Sequence, residues 1–169
     1  MKANIVVDVE TTGMSVKSGG RVIEIGAVAI EKGCVIAELA TLIDAGAQIN
    51  YGAFLVHGIS MAMLAGNPTP EAAWPCFLEF IGDAPLVAHN APFDSAFVRN
   101  EFALLGISLK NRWHCTVKLA RKRLPHLPNH RLDTVYRCLF GGLPPGIQRH
   151  RALDDARLAA MIWIELGEN

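Results

Sequence analysis

The amino-acid sequence predicts an α/β fold, a central mixed sheet of five strands flanked by helices. Three observations carry this. β-branched runs of strand length fill most of the first 44 positions, helical patterns fill most of the rest, and a short apolar run leads straight into an amphipathic helix near position 90. Strands first, then strand–helix alternation, imply a sheet with helices on its faces.

Taken in order, "ANIVVDVE" (3–10) is a strand stopped by the turn signal "TTG". "RVIEIGAVAIEKGCVIAELATLID" (21–44) reads as two strands around the turn "EKG", a hairpin that makes this part of the sheet antiparallel. Residues 44–60 read as loop with room for one helical turn. "TPEAAWPCFLEFIGD" (69–83) is a helix with Thr69 as N-cap, Pro70 at its first position and Gly82 near its end. Pro75 weakens its first turns. "APLVAHN" (84–90) is a buried strand, joined in parallel through the preceding helix. "APFDSAFVRNEFALLG" (91–106) is a helix closed by Gly106. A short extended piece at "RWHCT" leads into the basic "VKLARKRL", "HRLDTVYRCLF" (130–140) is a further helix, and "GGLPPGIQ" (141–148) a loop. The final helix, within "QRHRALDDARLAAMIWIEL", is apolar almost all the way round from Ala156 and therefore buried.

Composition bounds the function. The 169 residues, 51% hydrophobic, suit one globular domain, residues 1–169. No run of eighteen apolar residues exists, which excludes a membrane span, and Asp8 interrupts the first apolar stretch, which argues against a secretory signal. Cys34, Cys76, Cys115 and Cys138 lack zinc-site spacing and suit reduced thiols, hence a cytoplasmic setting. The net charge of zero hides an asymmetry. Residues 1–100 hold ten acids and five bases, whereas residues 101–169 hold six acids and eleven bases. Such a chain suits a polyanion held near a separate acidic site, although random placement on a solvated surface explains it equally well.

The acidic residues fall into three segments. Asp8 and Glu10 share a strand face at the strand's end, where they repel each other unless a cation neutralises them. Asp94 lies in the first turn of its helix, where the helix dipole favours an anion. Asp154 and Asp155 open the last helix. Asp154 can pair with Arg157 at the surface, whereas Asp155 lies on the apolar face above Ala159, Ile162 and Trp163, where a lone charge is costly. Asp155 is therefore the candidate ligand and Asp154 the structural residue. His150 lies five positions before Asp155, too divergent to share a site within one helix, but able to reach it from a preceding loop. Each segment alone also fits ordinary strand-end or helix-start chemistry, with Asn90 as a cap beside Asp94. Jointly, four carboxylates make an all-oxygen donor set suited to Mg²⁺ or Mn²⁺. Two such ions can clamp the attacking and leaving oxygens of a phosphoryl displacement, with a histidine accepting the proton from water.

The segments "VVDVETTGM", "VHGIS", "AHNAPFD" and "HRALDDARLAA" resemble, in order and spacing, the motifs of the DnaQ-like DEDDh 3′–5′ exonucleases, and the likeness covers nearly the whole chain. It implies a ribonuclease H-like fold, two divalent metals, and Asp8, Glu10, Asp94 and Asp155 as their ligands with His150 as general base. It further implies that Thr11, Thr12 and Gly13 receive the terminal nucleotide, with Met14 against its base and His57 and Phe93 close by. Read without the family, Met14 and Phe93 fit core positions and His57 a helix cap. The implied partner is a DNA 3′ end, with a DNA polymerase subunit as a candidate protein partner. RNA 3′-end trimming, as by RNase T or oligoribonuclease, is the alternative, and a non-catalytic nucleic-acid-binding module the more distant one. Lys118, Arg121 and Lys122 share one helical face and could hold upstream phosphates, or simply be solvated. Cys115 stands where many relatives carry aspartate, as it does in exonuclease X-like members.

Overall fold

The computed structural model describes residues 3–167. Its sheet comprises β1 (Asn4–Thr11), β2 (Val22–Glu31), β3 (Cys34–Leu42), β4 (Leu86–Ala88) and β5 (Trp113–Cys115). The spatial order is β3-β2-β1-β4-β5, with the first three strands antiparallel and β4 and β5 parallel to β1. Five strands, an antiparallel hairpin and a parallel addition at "PLVAH" agree with the expectation.

The helices are α1 (Tyr51–His57), α2 (Met61–Leu64), α3 (Pro70–Ile81), α4 (Ala91–Leu104), α5 (Thr116–Arg123), α6 (Leu132–Phe140) and α7 (Ala152–Leu166). One region departs from the expectation, because 44–60 holds a two-turn helix as well as loop, and a further short helix follows it. The Asn50 side chain accepts from Gly52 N–H at its start, and Gly58, at a left-handed φ of 70°, ends it. Its seven residues form too short an element for periodicity to reveal. Thr69 and Asn90 occupy cap positions without a side-chain cap bond, and Asn90 is itself left-handed at φ 77°. Both helices start well enough without it, since Pro70 and Pro92 pre-set the first turn.

Strand alternation divides the interior into two cores. Ile5, Val7 and Val9 of β1 face α3 and α4, packing with Trp74, Phe77, Phe97 and Phe102. Val6 faces the other way, into a core built from α5, α6 and α7 around Val135, Ala156, Leu158 and Ile162. Asp8 and Glu10 follow Val6 at period two and so lie on the α7 side. On β2, Glu24, Gly26, Val28 and Ile30 share that parity. A Cβ on Gly26 would stand 2.2 Å from the Leu153 amide nitrogen, so the first turn of α7 lies directly on bare β2 backbone. Only glycine permits that approach. The consequence for function is position, because the start of α7 comes to rest beside the end of β1.

Candidate active site

The carboxyl ends of β1 and β4 open together, as ligand sites in open sheets do. β1 contributes Asp8 and Glu10, and a register irregularity between Glu10 and Thr11 turns the chain away from the ladder just past them. From β4 the chain passes through His89 and Asn90 into α4, which presents Asp94 in its first turn. From the far side, α7 presents Asp155. Asp8, Glu10, Asp94, Asp155 and His150 line one depression of about 300 Å³. Glu10, His150 and Asp155 each offer a ligand atom within 4.8 Å of the others.

His150 sits in the turn before α7 rather than in the helix, at a left-handed φ of 61°. That placement resolves the angular problem of the five-residue spacing. Its backbone N–H donates to Asp155 Oδ2 at 3.3 Å, while its side chain stays exposed. Asp154 accepts from Arg157 at 3.0 Å and from the Gln148 N–H at 2.9 Å, and Arg157 also pairs with Glu38. Asp154 is half-buried and engaged with the exposed Arg157 outside the carboxylate depression, whereas Asp155 is 5% exposed and lines it.

Burial raises every one of these carboxyl groups above the ordinary range. Asp8 rises well above it, first through burial and then through the charges of Asp94, Asp155 and Glu10. Burial, with Asp155 and Glu24 next, pushes Glu10 up to about 8. Asp94 is raised by burial against the pull of its own and the Val9 backbone amides. Asp155 is raised by burial and opposed by Arg149. Arg149 forms an ion pair with Asp155 and is the nearby cation that lowers Asp8 and Glu10 as well. An all-oxygen cluster short of positive charge is the donor set that hard divalent cations fit.

A pH dependence follows from these directions. Carboxyl groups with raised folded-state pKa values contribute stability that is present below about pH 4 and lost as pH rises through their folded values. The ion-free protein is therefore expected to melt at progressively lower temperature from about pH 5 to about pH 8.5. Mn²⁺ should restore the loss, with the largest gain at the alkaline end. Thermal melts with Mn²⁺ or EDTA, on this chain and on Glu10→Gln, check it, and equal slopes in the two proteins would show that Glu10 titrates normally.

Beside the depression lies a cleft of about 870 Å³, walled by Glu10, Thr11, Thr12, Gly13, Met14, His57 and Phe93. The structure thus gathers every candidate nucleotide contact at one place. Thr12 N–H donates to Arg21 O, and Arg21 N–H returns to Thr12 Oγ1 at 2.9 Å. Arg21 is in turn gripped by both carboxylate oxygens of Glu101 on α4, which is 1% exposed. His57 is the last residue of α1 and part of the cleft wall, and Gly58 rather than its side chain closes the helix. The His57 Nδ1 accepts from Ile59 N–H at 3.0 Å, which leaves Nε2 to donate to Thr11 O at 3.2 Å. Burial lowers its pKa. Met14 is 82% exposed and not a core residue, whereas Phe93 packs on Phe97 at a ring separation of 4.9 Å.

On the other side of the carboxylates a second hollow of about 610 Å³ is lined by His89, His130, Arg131 and Arg149 among others. His89 bonds the Thr116 hydroxyl at 2.8 Å and the His130 carbonyl at 2.9 Å, and burial pushes its pKa down to about 4. Lys118, Arg121 and Lys122 are exposed on α5, outside both hollows. Leu119 and Leu124 are partly buried and pack against the core shared by α5, α6 and α7. Sequence reasoning missed Arg149, Arg151, Glu24, Glu101 and His89. Their partners lie 6 to 128 positions away, and no local pattern marks them.

A mixed sheet in this order, with acidic residues gathered at its carboxyl ends, is the ribonuclease H-like class of fold. The family model described as Exonuclease (RNase_T) matches residues 5–163, and the chain belongs to that exonuclease family. It is 39% identical over 158 residues to a PolC-type DNA polymerase III of Clostridium perfringens, covering 94% of this chain but 11% of that protein. It is 38% identical over 166 residues to the DNA polymerase III subunit epsilon of Aquifex aeolicus, covering 97% of this chain and 80% of that one. Among solved structures, exonuclease X in complex with 5′-overhanging duplex DNA superposes with a TM-score of 0.79 at 28% identity, over 96% of this chain and 90% of that one. Exonuclease I of E. coli with a dT13 oligonucleotide reaches 0.81 over 98% of this chain and 41% of that one, at 17% identity, a likeness of fold alone. None of the described helices is long and apolar enough to cross a membrane, and all four cysteines are free thiols.

Proposed function

We propose that this chain is a divalent-metal-dependent 3′–5′ exonuclease that hydrolyses the terminal phosphodiester of single-stranded or frayed DNA, releases nucleoside 5′-monophosphates, and serves proofreading or repair. The observation that carries the reading is the junction of the four-carboxylate depression with the cleft at Glu10 and Met14. A terminal nucleotide in that cleft places its 5′-phosphate over the carboxylates. The epsilon subunit and the PolC-type relatives support a DNA substrate and a polymerase partner, and exonuclease X was captured on DNA.

Asp8, Glu10, Asp94 and Asp155 would hold two ions, Mg²⁺ or Mn²⁺. When bound, such ions offset charge on the attacking and leaving oxygens. The chain's own residues do the rest. His150, exposed at the rim and anchored through its backbone to Asp155, accepts the proton of the attacking water. Thr11 to Gly13 offer polar and backbone groups to the sugar, and Met14 and Phe93 meet the base without reading its identity. Arg131 and Arg149 line the hollow across which the upstream phosphates leave. No described cysteine or serine is paired with a base in the depression, and no covalent enzyme intermediate is required.

The test uses 5′-labelled single-stranded DNA and RNA oligonucleotides with Mg²⁺, Mn²⁺ or EDTA, resolved on a denaturing gel. A metal-dependent ladder shortening from the 3′ end, faster on DNA, is expected. A faster RNA ladder would move the reading to RNA trimming, because a 2′-hydroxyl contact decides between them. Intact oligonucleotides under every condition would overturn it.

A further inference from the structure

We propose that Glu24 on β2 and Arg151 at the start of α7 form a latch that positions Asp155 and His150, and so sets the affinity of the carboxylate cluster for divalent ions. The inference rests on the reading of Asp155 and His150 given above and extends it to two residues that touch neither substrate nor ion. Both are positioning residues.

Glu24 is 5% exposed and faces α7, directly across the strand register from Glu10. Arg151 Nη2 donates to its Oε1 at 2.6 Å, and Arg151 Nε to Oε1 and Oε2 at 3.0 and 3.2 Å. Glu24 Oε2 also accepts the Ala152 N–H at 3.0 Å. The first amides of a helix lack partners inside it, and α7 has no side-chain cap from its own N-cap residue, Arg151. Glu24 is therefore the cap of α7, supplied from a strand 128 residues away in sequence rather than from the adjoining turn. A carboxylate there also meets the positive end of the helix dipole.

The location matters because of what flanks it. His150 precedes Arg151 with a left-handed backbone, and Asp155 follows within one turn. The turn is pinned from both sides, by His150 N–H to Asp155 Oδ2 and by Arg151 and Ala152 to Glu24. Gly26 lets the helix start seat on β2 at backbone distance, so the orientation of the first turn of α7 on β2 sets where Asp155 stands relative to Glu10. Arg151 has a second effect. It offsets a fifth carboxylate that would otherwise add its charge beside Glu10. A second ion pair, Arg157 with Glu38, joins the same helix to β3 at the solvent surface and serves as an internal comparison.

The experiment measures Mn²⁺ affinity by electron paramagnetic resonance, amide hydrogen exchange in the first turn of α7, and melting temperature. The proteins are the unchanged chain, Glu24→Gln, Arg151→Lys, their double variant and Glu38→Gln. Arg151→Lys leaves the Glu24 cap on Ala152 in place, and so remains informative if the Glu24 variant folds poorly. Mn²⁺ affinity should fall about 10–100-fold in each single variant, as for other residues that orient metal ligands. The double variant should be no weaker than the weaker single one, because the pair acts as a unit. First-turn amides should exchange faster in these three, and Glu38→Gln should match the unchanged chain in affinity. Unaltered affinity in Glu24→Gln and Arg151→Lys, or an equal loss in Glu38→Gln, overturns the latch. Absence of Mn²⁺ binding by the unchanged chain overturns instead the metal reading beneath it, and the latch with it.

Discussion

Asp155→Asn is expected to lower the cleavage rate at least about a thousandfold, near 4 kcal/mol of barrier, while Asp154→Asn keeps most of it. The two acids are sequence neighbours on one helix, so composition, charge and local dipole change equally in both variants. What differs is direction. Asp155 is buried, faces Glu10 and His150 and pairs with Arg149. Asp154 points outward to Arg157 and the Gln148 amide. Asn keeps the shape of the side chain and removes one charge from a self-repelling group. The ion-free Asp155→Asn protein should therefore melt no lower than the unchanged chain at neutral pH, which separates lost chemistry from lost folding. Equal rate losses at both positions would show that the helix face is misassigned.

His150→Ala is expected to slow turnover about a hundredfold to ten-thousandfold, the range for a positioned general base. Mn²⁺ affinity and the Km for an oligonucleotide should change little. The imidazole is exposed, and the backbone N–H that contacts Asp155 remains in any variant. Alanine at a left-handed position carries a backbone penalty of about 1–2 kcal/mol, so His150→Asn, which tolerates that conformation, is the companion variant. Both should fall by the same order in single-turnover cleavage. A rate near that of the unchanged chain in either variant removes the general-base assignment.

The parts of the site that were legible in the sequence share a property. Asp8 and Glu10 stand on one face because a strand has period two, and Asp155 departs from Asp154 because a helix turns about 100° per residue. Those periods are local, and local patterns survive in a string of letters. Asp94 was legible from the strand-to-helix junction at "AHNAPFD", and His150 from the loop signals of "GGLPPGIQ". Met14 illustrates the limit, since apart from the family motif a methionine after a glycine reads first as a core residue, until its 82% exposure is seen. The helix at Tyr51–His57 was legible only as room for one helical turn, because seven residues carry too little periodicity and draw much of their definition from Asn50 and Gly58.

The sequence by itself determined the strand and helix order, the four carboxylates with their histidine, and the family whose motifs they match. Only the tertiary structure decided how these were held. Glu24 capping α7, Glu101 gripping Arg21 behind the Thr12 turn, His89 tying β4 to the chain at His130, and Arg149 lying on Asp155 are pairings made through space. A charged residue in a sequence carries no mark of its partner. The partner is chosen when two elements pack and leave a buried charge or an open amide that must be met.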